Sequence, residues 1–155
     1  MTVERFIEWA NNACLIVERA NDPVKFPDGV LERYKNIPKD WLCFMESFKS
    51  ITNASEDMWF LTADYFADTC SQFEDISLEA ADGDDEWTGS VKAFWDKTLP
   101  VVMGVGGDYH YYAIDLETGE VVEGWEPEFE ETSVVAGSFN EFLEKLISGE
   151  IILVI

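Results

Sequence analysis

LPVVMGVGGDYHYYAIDLETGEVVEGW, residues 99–125, and VVAGSFNEFLEKL, residues 134–146, decide the fold of this chain. Leu99 to Val105 is a short apolar run of the kind that forms a buried strand. Gly104, Gly106 and Gly107 interrupt it where the backbone has to turn or pass close to a neighbour. Tyr109 to Leu116 then resumes in aromatic and β-branched residues, which favour a strand. Glu117-Thr118-Gly119-Glu120 reads as a turn, and Val121 to Trp125 as the returning strand of a hairpin. After an acidic break at Glu126 to Glu131 there is room for one more short strand. Ser138 then has the character of a helix N-cap, with Glu141 as its capping-box partner. Phe139, Phe142, Leu143 and Leu146 follow at helical spacing.

Working outward, the first hundred residues read mostly as helices. Val3 to Ala20 is expected to be one amphipathic helix, with Phe6, Trp9, Ala10, Ala13, Cys14 and Val17 on a stripe. Asn21-Asp22-Pro23 ends it and Pro27-Asp28-Gly29 suits a turn. Leu31 to Tyr34 suits a short helix. Pro38 fits the first turn of a helix carrying Trp41, Leu42, Met45 and Phe48. Asn53 to Asp57 reads as polar loop and Met58 to Leu61 as a short strand. Thr62 is expected to cap a helix through Tyr65, Phe66 and Thr69. Residues 77–85, SLEAADGDD, are expected to be an acidic loop. Glu86 to Lys97 follows as a helix with Val91, Phe94 and Trp95 inward. After helix Phe139 to Ile147, Gly149 is the stop, and Ile151 to Val154 suits a last strand. Helices followed by a hairpin-connected sheet make the class α+β, with a mainly antiparallel sheet in a single domain, residues 1–155.

The order of strand, Gly-Gly-Asp turn, strand, hairpin, short strand and SFxEFL helix resembles the C-terminal half of the SUKH superfamily, named partly for yeast cell-wall assembly regulators. Ile37-Pro38-Lys39-Asp40-Trp41, opening a helix, is similar to the family's N-terminal mark. Asn53 stands where the family often has an Asn-Gly turn, but Ala54 follows it here. The resemblance spans residues 30–146 and is a pattern of fold positions, not a catalytic signature. It implies an immunity protein that binds and silences a bacterial toxin.

Composition narrows the function independently. Eleven Phe, six Trp and five Tyr in 155 residues support a packed core. Residues 1–50 hold seven Lys/Arg against eight Asp/Glu, a net of −1, while residues 51–155 hold three against 24, a net of −21. That field repels nucleic acid and anionic membrane and attracts basic proteins. No apolar stretch reaches the ~18 residues of a membrane span, and Met1-Thr2-Val3-Glu4 lacks the basic start of a secretion signal. Cys14, Cys43 and Cys70, widely spaced among apolar neighbours, are expected to be reduced and mostly buried, as in a cytoplasmic protein.

Gly104-Val105-Gly106-Gly107 is followed by a strand, without the helix or lysine of a phosphate loop. Asp82-Gly83-Asp84-Asp85-Glu86 places its glycine wrongly for a calcium loop. A thiol nucleophile would need the one histidine, His110, which lies mid-strand among tyrosines and reads as a core or sheet-face residue. The expectation is therefore a non-enzyme with no catalytic residues, cofactor or metal. The expected partner surface combines Asp82, Asp84, Asp85 and Glu86 with Glu123, Trp125, Glu126, Glu128, Glu130 and Glu131. Aromatic anchors beside acids suit a protein interface, and the expected partner is a cognate toxin with a basic surface, of nuclease or other activity. A cytosolic regulatory or scaffold module is the alternative, and a small metal-dependent hydrolase the third reading.

Overall fold

In the computed structural model, which describes residues 1–68 and 72–153, the strands form one antiparallel sheet in chain order. They are β1 Ile16–Arg19, β2 Phe48–Thr52, β3 Met58–Phe60, β4 Thr98–Gly104, β5 His110–Asp115, β6 Val121–Trp125 and β7 Ser133–Ala136. The helices are α1 Val3–Asn12, α2 Asp28–Arg33, α3 Lys39–Met45, α4 Gln72–Ala80, α5 Asp85–Asp96 and α6 Phe139–Ser148, with a 3-10 segment at Ala63–Asp68. The α+β class and the antiparallel sheet agree with the reading of the sequence.

Alternation along β5 explains the layering. Successive side chains point to opposite faces of a sheet, so Tyr111 and Tyr112 part company. Tyr112 packs on Phe142 of α6 at 5.0 Å between ring centroids, and on the same face Phe60 packs on Phe6 of α1 at 5.6 Å. Tyr111 packs on Trp95 of α5 at 5.2 Å and on Phe73 of α4 at 6.1 Å. Both faces of β4 and β5 are thus covered, and Leu99 to Met103 is apolar without a break because neither side meets water. Gly124 faces Tyr111 across β5 and β6, and a Cβ there would come within 2.6 Å of the Tyr111 ring. The glycine makes room for the ring, whose hydroxyl donates to the Phe129 carbonyl.

The C-terminal helix begins and ends as its residues dictate. Ser138 Oγ accepts the Glu141 N–H at 3.1 Å, and the Glu141 carboxylate reaches back to the Gly137 N–H at 3.1 Å. Gly149 closes the helix in the left-handed region at φ 80.

The N-terminal half departs from expectation in several places. The Val3–Ala20 helix is two elements, α1 and β1. Cys14 adopts φ 61, its N–H bonds the Asn11 carbonyl, and the Leu15 N–H reaches back to the Ala10 carbonyl. That pair of bonds is a Schellman ending, usually built on glycine. Cys14 and Val17 fall on the helical stripe by coincidence of spacing. Ile16 and Val17, both β-branched, enter the sheet beside Thr52 and Ile51. Asp28 and Gly29 form the first turn of α2, not a free turn. The third helix stops at Met45, and Phe48 starts β2 instead of closing a helix. Thr62 caps nothing with its side chain: its hydroxyl donates to the Lys49 carbonyl, and a 3-10 segment follows. Thr69 and Cys70 lie outside the described residues. Ser77 to Ala80 are helical, because Phe73, Ser77 and Ala81 make a buried stripe through an otherwise acidic stretch. Ile151 to Leu153 pair with no strand, and Val154 lies outside the described residues. Cys14 and Cys43 are exposed, not buried, one just past a helix end and the other on the outer side of α3.

The tight Gly124 contact yields a test. Gly124→Ala is expected to lower stability by about 1–3 kcal/mol through overpacking against Tyr111. Urea unfolding of the variant against wild type measures it, and an unchanged midpoint would show that the ring moves aside freely.

Candidate functional site

Two connections meet at one end of the sheet. The turn between β2 and β3 is organised by Asn53, which is buried at 1 % exposure. Its Oδ1 accepts the N–H groups of Asp57 at 3.1 Å and Met58 at 3.2 Å, and its Nδ2 donates to Asp57 Oδ1 at 2.5 Å. The connection between β4 and β5 lies against this turn. The Val105 N–H donates to the Asp57 carbonyl at 2.7 Å, and Gly106 presses on the Asp57 carboxylate so closely that a Cβ would sit 2.6 Å from Oδ2. Gly106 therefore serves close backbone approach, as its surroundings in the sequence suggested.

Between these loops and the sheet is a pocket of about 280 Å³. Its buried surface comes from Met58, Val102, His110 and Tyr112, and from Leu153 of the segment after α6. Ser55, Asp57, Asp108 and Trp125 stand at the more exposed positions. The cross-strand register creates this set. Met58 pairs with Gly104, Gly104 with His110, and His110 with Trp125. Directly opposed residues share a face, so Gly104 leaves a gap in that row between Met58 and His110.

His110 is the most constrained side chain here. Its ring stacks on Trp125 at 3.7 Å and meets Tyr112 edge-on at 4.7 Å. Its Nε2 lies 3.1 Å from Glu123 Oε2. A carboxylate only accepts, so Nε2 carries the proton and the tautomer is fixed. Burial pulls the imidazole below its ordinary value of 6.5, while the hydrogen bond and charge of Glu123 oppose that pull. The net effect favours the neutral ring at pH 7. Tyr112, buried and beside the Glu123 charge, has its hydroxyl pushed up to about 12.

The expected contact residues occupy three places rather than one. Glu123 and Trp125 flank His110 on the pocket face. Glu126 Oε1 accepts the Tyr109 N–H at 3.0 Å and so ties the loop after β6 to the start of β5. Glu128, Glu130 and Glu131 lie in the loop that Phe129 anchors by stacking on Phe73 at 4.8 Å. Asp82, Asp84, Asp85 and Glu86 sit at the α4–α5 connection, the other end of α4 from Phe73, roughly 13 Å of helix away. These last acids are not a free loop. Asp84 Oδ1 caps α5 by accepting the Trp87 N–H at 3.0 Å, and Asp85 and Glu86 complement the helix dipole. Asn53, Asp57 and Asp108 were not among the expected contact residues. Their placement follows from loop-to-loop packing; Asn53 and the Gly-Gly-Asp turn carry a signal in the sequence, as turn positions.

Among the described residues no group of three His, Cys, Asp or Glu side chains is placed to hold a metal ion, and no helix is long and apolar enough to cross a membrane. No protein-family model, curated protein or solved structure matches the chain.

Two measurements follow from this geometry. With one histidine in the chain, proton NMR reads a single imidazole titration. Its midpoint is expected below 6.5, and Glu123→Gln is expected to lower it further by removing the opposing carboxylate. A folded-state value below the unfolded one means that this group's stabilising effect is complete above pH 6.5 and declines as pH falls through the folded-state value. A midpoint above 6.5 would contradict the burial argument. Separately, Asn53→Ala leaves two inward-facing backbone N–H groups without their acceptor and is expected to cost about 2–3 kcal/mol by urea unfolding.

Proposed function

We propose that this is a binding protein of the immunity class, which engages a basic protein toxin by direct contact in the bacterial cytoplasm. The observation that carries the reading is Trp125, 43 % exposed yet held rigidly on His110, with Asp108 and Asp57 across the same pocket. A pre-ordered aromatic residue beside acids that share their pocket with no lysine or arginine of the described residues suits an interface anchor, because little side-chain freedom remains to be lost on binding. The net charge of −21 over residues 51–155 adds long-range attraction for a basic partner. The resemblance to the SUKH superfamily supplies the immunity class, and the antiparallel α+β architecture is in keeping with it.

The division of labour is physical. Exposed acids of the loop after β6, such as Glu128 and Glu131, steer encounter through their field, and the aromatic anchor governs lifetime. Glu126 is less suited to steering alone, since it also holds the Tyr109 backbone.

The deciding experiment pairs this protein with the product of a neighbouring toxin gene and follows binding by surface plasmon resonance. Glu128→Lys with Glu131→Lys is expected to slow association about tenfold at low salt and to flatten its salt dependence. Trp125→Ala is expected to speed dissociation roughly thirtyfold, the equivalent of about 2 kcal/mol. Wild-type kinetics in both folded variants, or no binding by any basic toxin encoded nearby, would overturn the reading.

A further inference from the structure

We propose that the pocket between His110 and the Gly106 loop is a guanidinium site, which takes one arginine side chain presented by a protein partner. This identifies the anchor of the interface proposed above and rests on that reading. Three observations select the occupant. The first is size. At about 280 Å³ the cavity falls just under the ~300–1,000 Å³ of pockets that hold whole small-molecule ligands. It suits a single side chain.

The second is charge. Asp57 and Asp108 both line the pocket, and among the described residues no lysine or arginine does. Asp57 is fixed in place, with one oxygen bonded to Asn53 Nδ2 and the carboxylate pressed on Gly106. Its position therefore costs little to organise on binding. His110 is held neutral by burial, so it does not cancel the two carboxylates at pH 7.

The third is shape. Tyr112 and the stacked His110–Trp125 pair present aromatic surface, and Met58, Val102 and Leu153 present apolar surface for methylenes. Arginine matches all three features at once. Its planar head stacks on an aromatic face, its fork of donors serves two acceptors, and its stem tolerates apolar surroundings. An ammonium group supplies the charge without the plane, and a neutral urea supplies the plane without the charge. Backbone geometry contributes as well: substituting Gly106 would displace Asp57, so the glycine preserves the acid's placement.

The test uses the whole protein and small probes at constant ionic strength. Nα-acetyl-arginine methylamide is titrated in, and the His110 imidazole and Trp125 indole resonances are followed by NMR. The matching lysine and citrulline amides are run alongside. Saturable shifts with a Kd in the millimolar range are expected for the arginine probe, at least fivefold tighter than for lysine and tenfold tighter than for citrulline. Asp108→Asn, at an exposed position, is expected to weaken the arginine probe three- to tenfold. Trp125→Ala is expected to abolish saturation. Equal response to all three probes, a purely linear response, or no effect of Asp108→Asn would overturn the assignment. If the arginine probe fails while Glu128→Lys with Glu131→Lys still slows a toxin's association, the pocket assignment is wrong and the binding function stands. If the probe binds as expected and no basic toxin does, the pocket is a guanidinium site and the immunity reading is wrong.

Discussion

A net charge of −22 on 155 residues pushes this chain apart, and the fold depends on buried aromatic surface to oppose that push. The opposition is local as well as global. Phe129 sits amid Glu126, Glu128, Glu130 and Glu131, yet is 1 % exposed and stacked on Phe73. This ring, with the Tyr111 hydroxyl on its carbonyl and Glu126 on the Tyr109 N–H, holds an acidic loop against the body of the protein. Burying rings of this size contributes ~1.5–3 kcal/mol each, more than the ~0–1 kcal/mol of a typical exposed ion pair. The acids are also placed where the backbone welcomes them. Glu4, Asp28, Asp40, Asp85, Glu86 and Glu141 all occupy first turns of helices, next to N–H groups that have no partner in the helix's own backbone. Scarce cations are shared: Arg33 of α2 reaches Glu74 at 2.6 Å and Asp96 at 3.2 Å, tying α2 to both α4 and α5.

What could be read from the sequence follows from how local each signal is. Strands β4 to β6 and helix α6 were legible because their punctuation is chemical: Gly119 at φ 80, Ser138 with Glu141, and Gly149 at φ 80. The α1–β1 boundary was not, because a cysteine takes the left-handed position that glycine or asparagine usually marks. Helix α4 was hidden by composition. Its exposed face is so acidic that Phe73, Ser77 and Ala81 do not stand out as a stripe, and Ser77 is a polar core residue that accepts the Trp95 indole N–H at 3.4 Å.

The candidate site was half legible, for a different reason. Trp125 and Glu123 lie on a strand whose hairpin is visible in the sequence, and His110 sits on the sheet, as its strand-forming neighbours indicate. Asp57 and Asp108 come from loops about fifty residues apart, brought together by the β3–β4 pairing of Met58 with Gly104. No periodicity within a strand encodes that neighbour relation. Conversely, the acids most conspicuous in the sequence, Asp84 to Glu86, have a local task in starting α5. Density of charge identified a field, but concavity had to come from register.

The same register explains why the acidic field alone does not define a binding site. A diffuse negative surface attracts many basic proteins and discriminates poorly among them, since exposed charges are screened beyond ~8–10 Å in physiological salt. Discrimination needs a short-range feature that only one partner geometry fits. For the proposed interface, Gly104 supplies such a feature by withholding a side chain within the sheet, and Gly106 lets the loop close on Asp57 at its edge. His110 then braces it, held by Trp125 on one side, Tyr112 on another and Glu123 through Nε2. The brace is buried and neutral while the mouth is exposed and negative, so attraction and fit reside in different residues. In the proposed interface, exposed acids therefore govern how often a partner arrives, and the braced aromatic pair governs whether it stays.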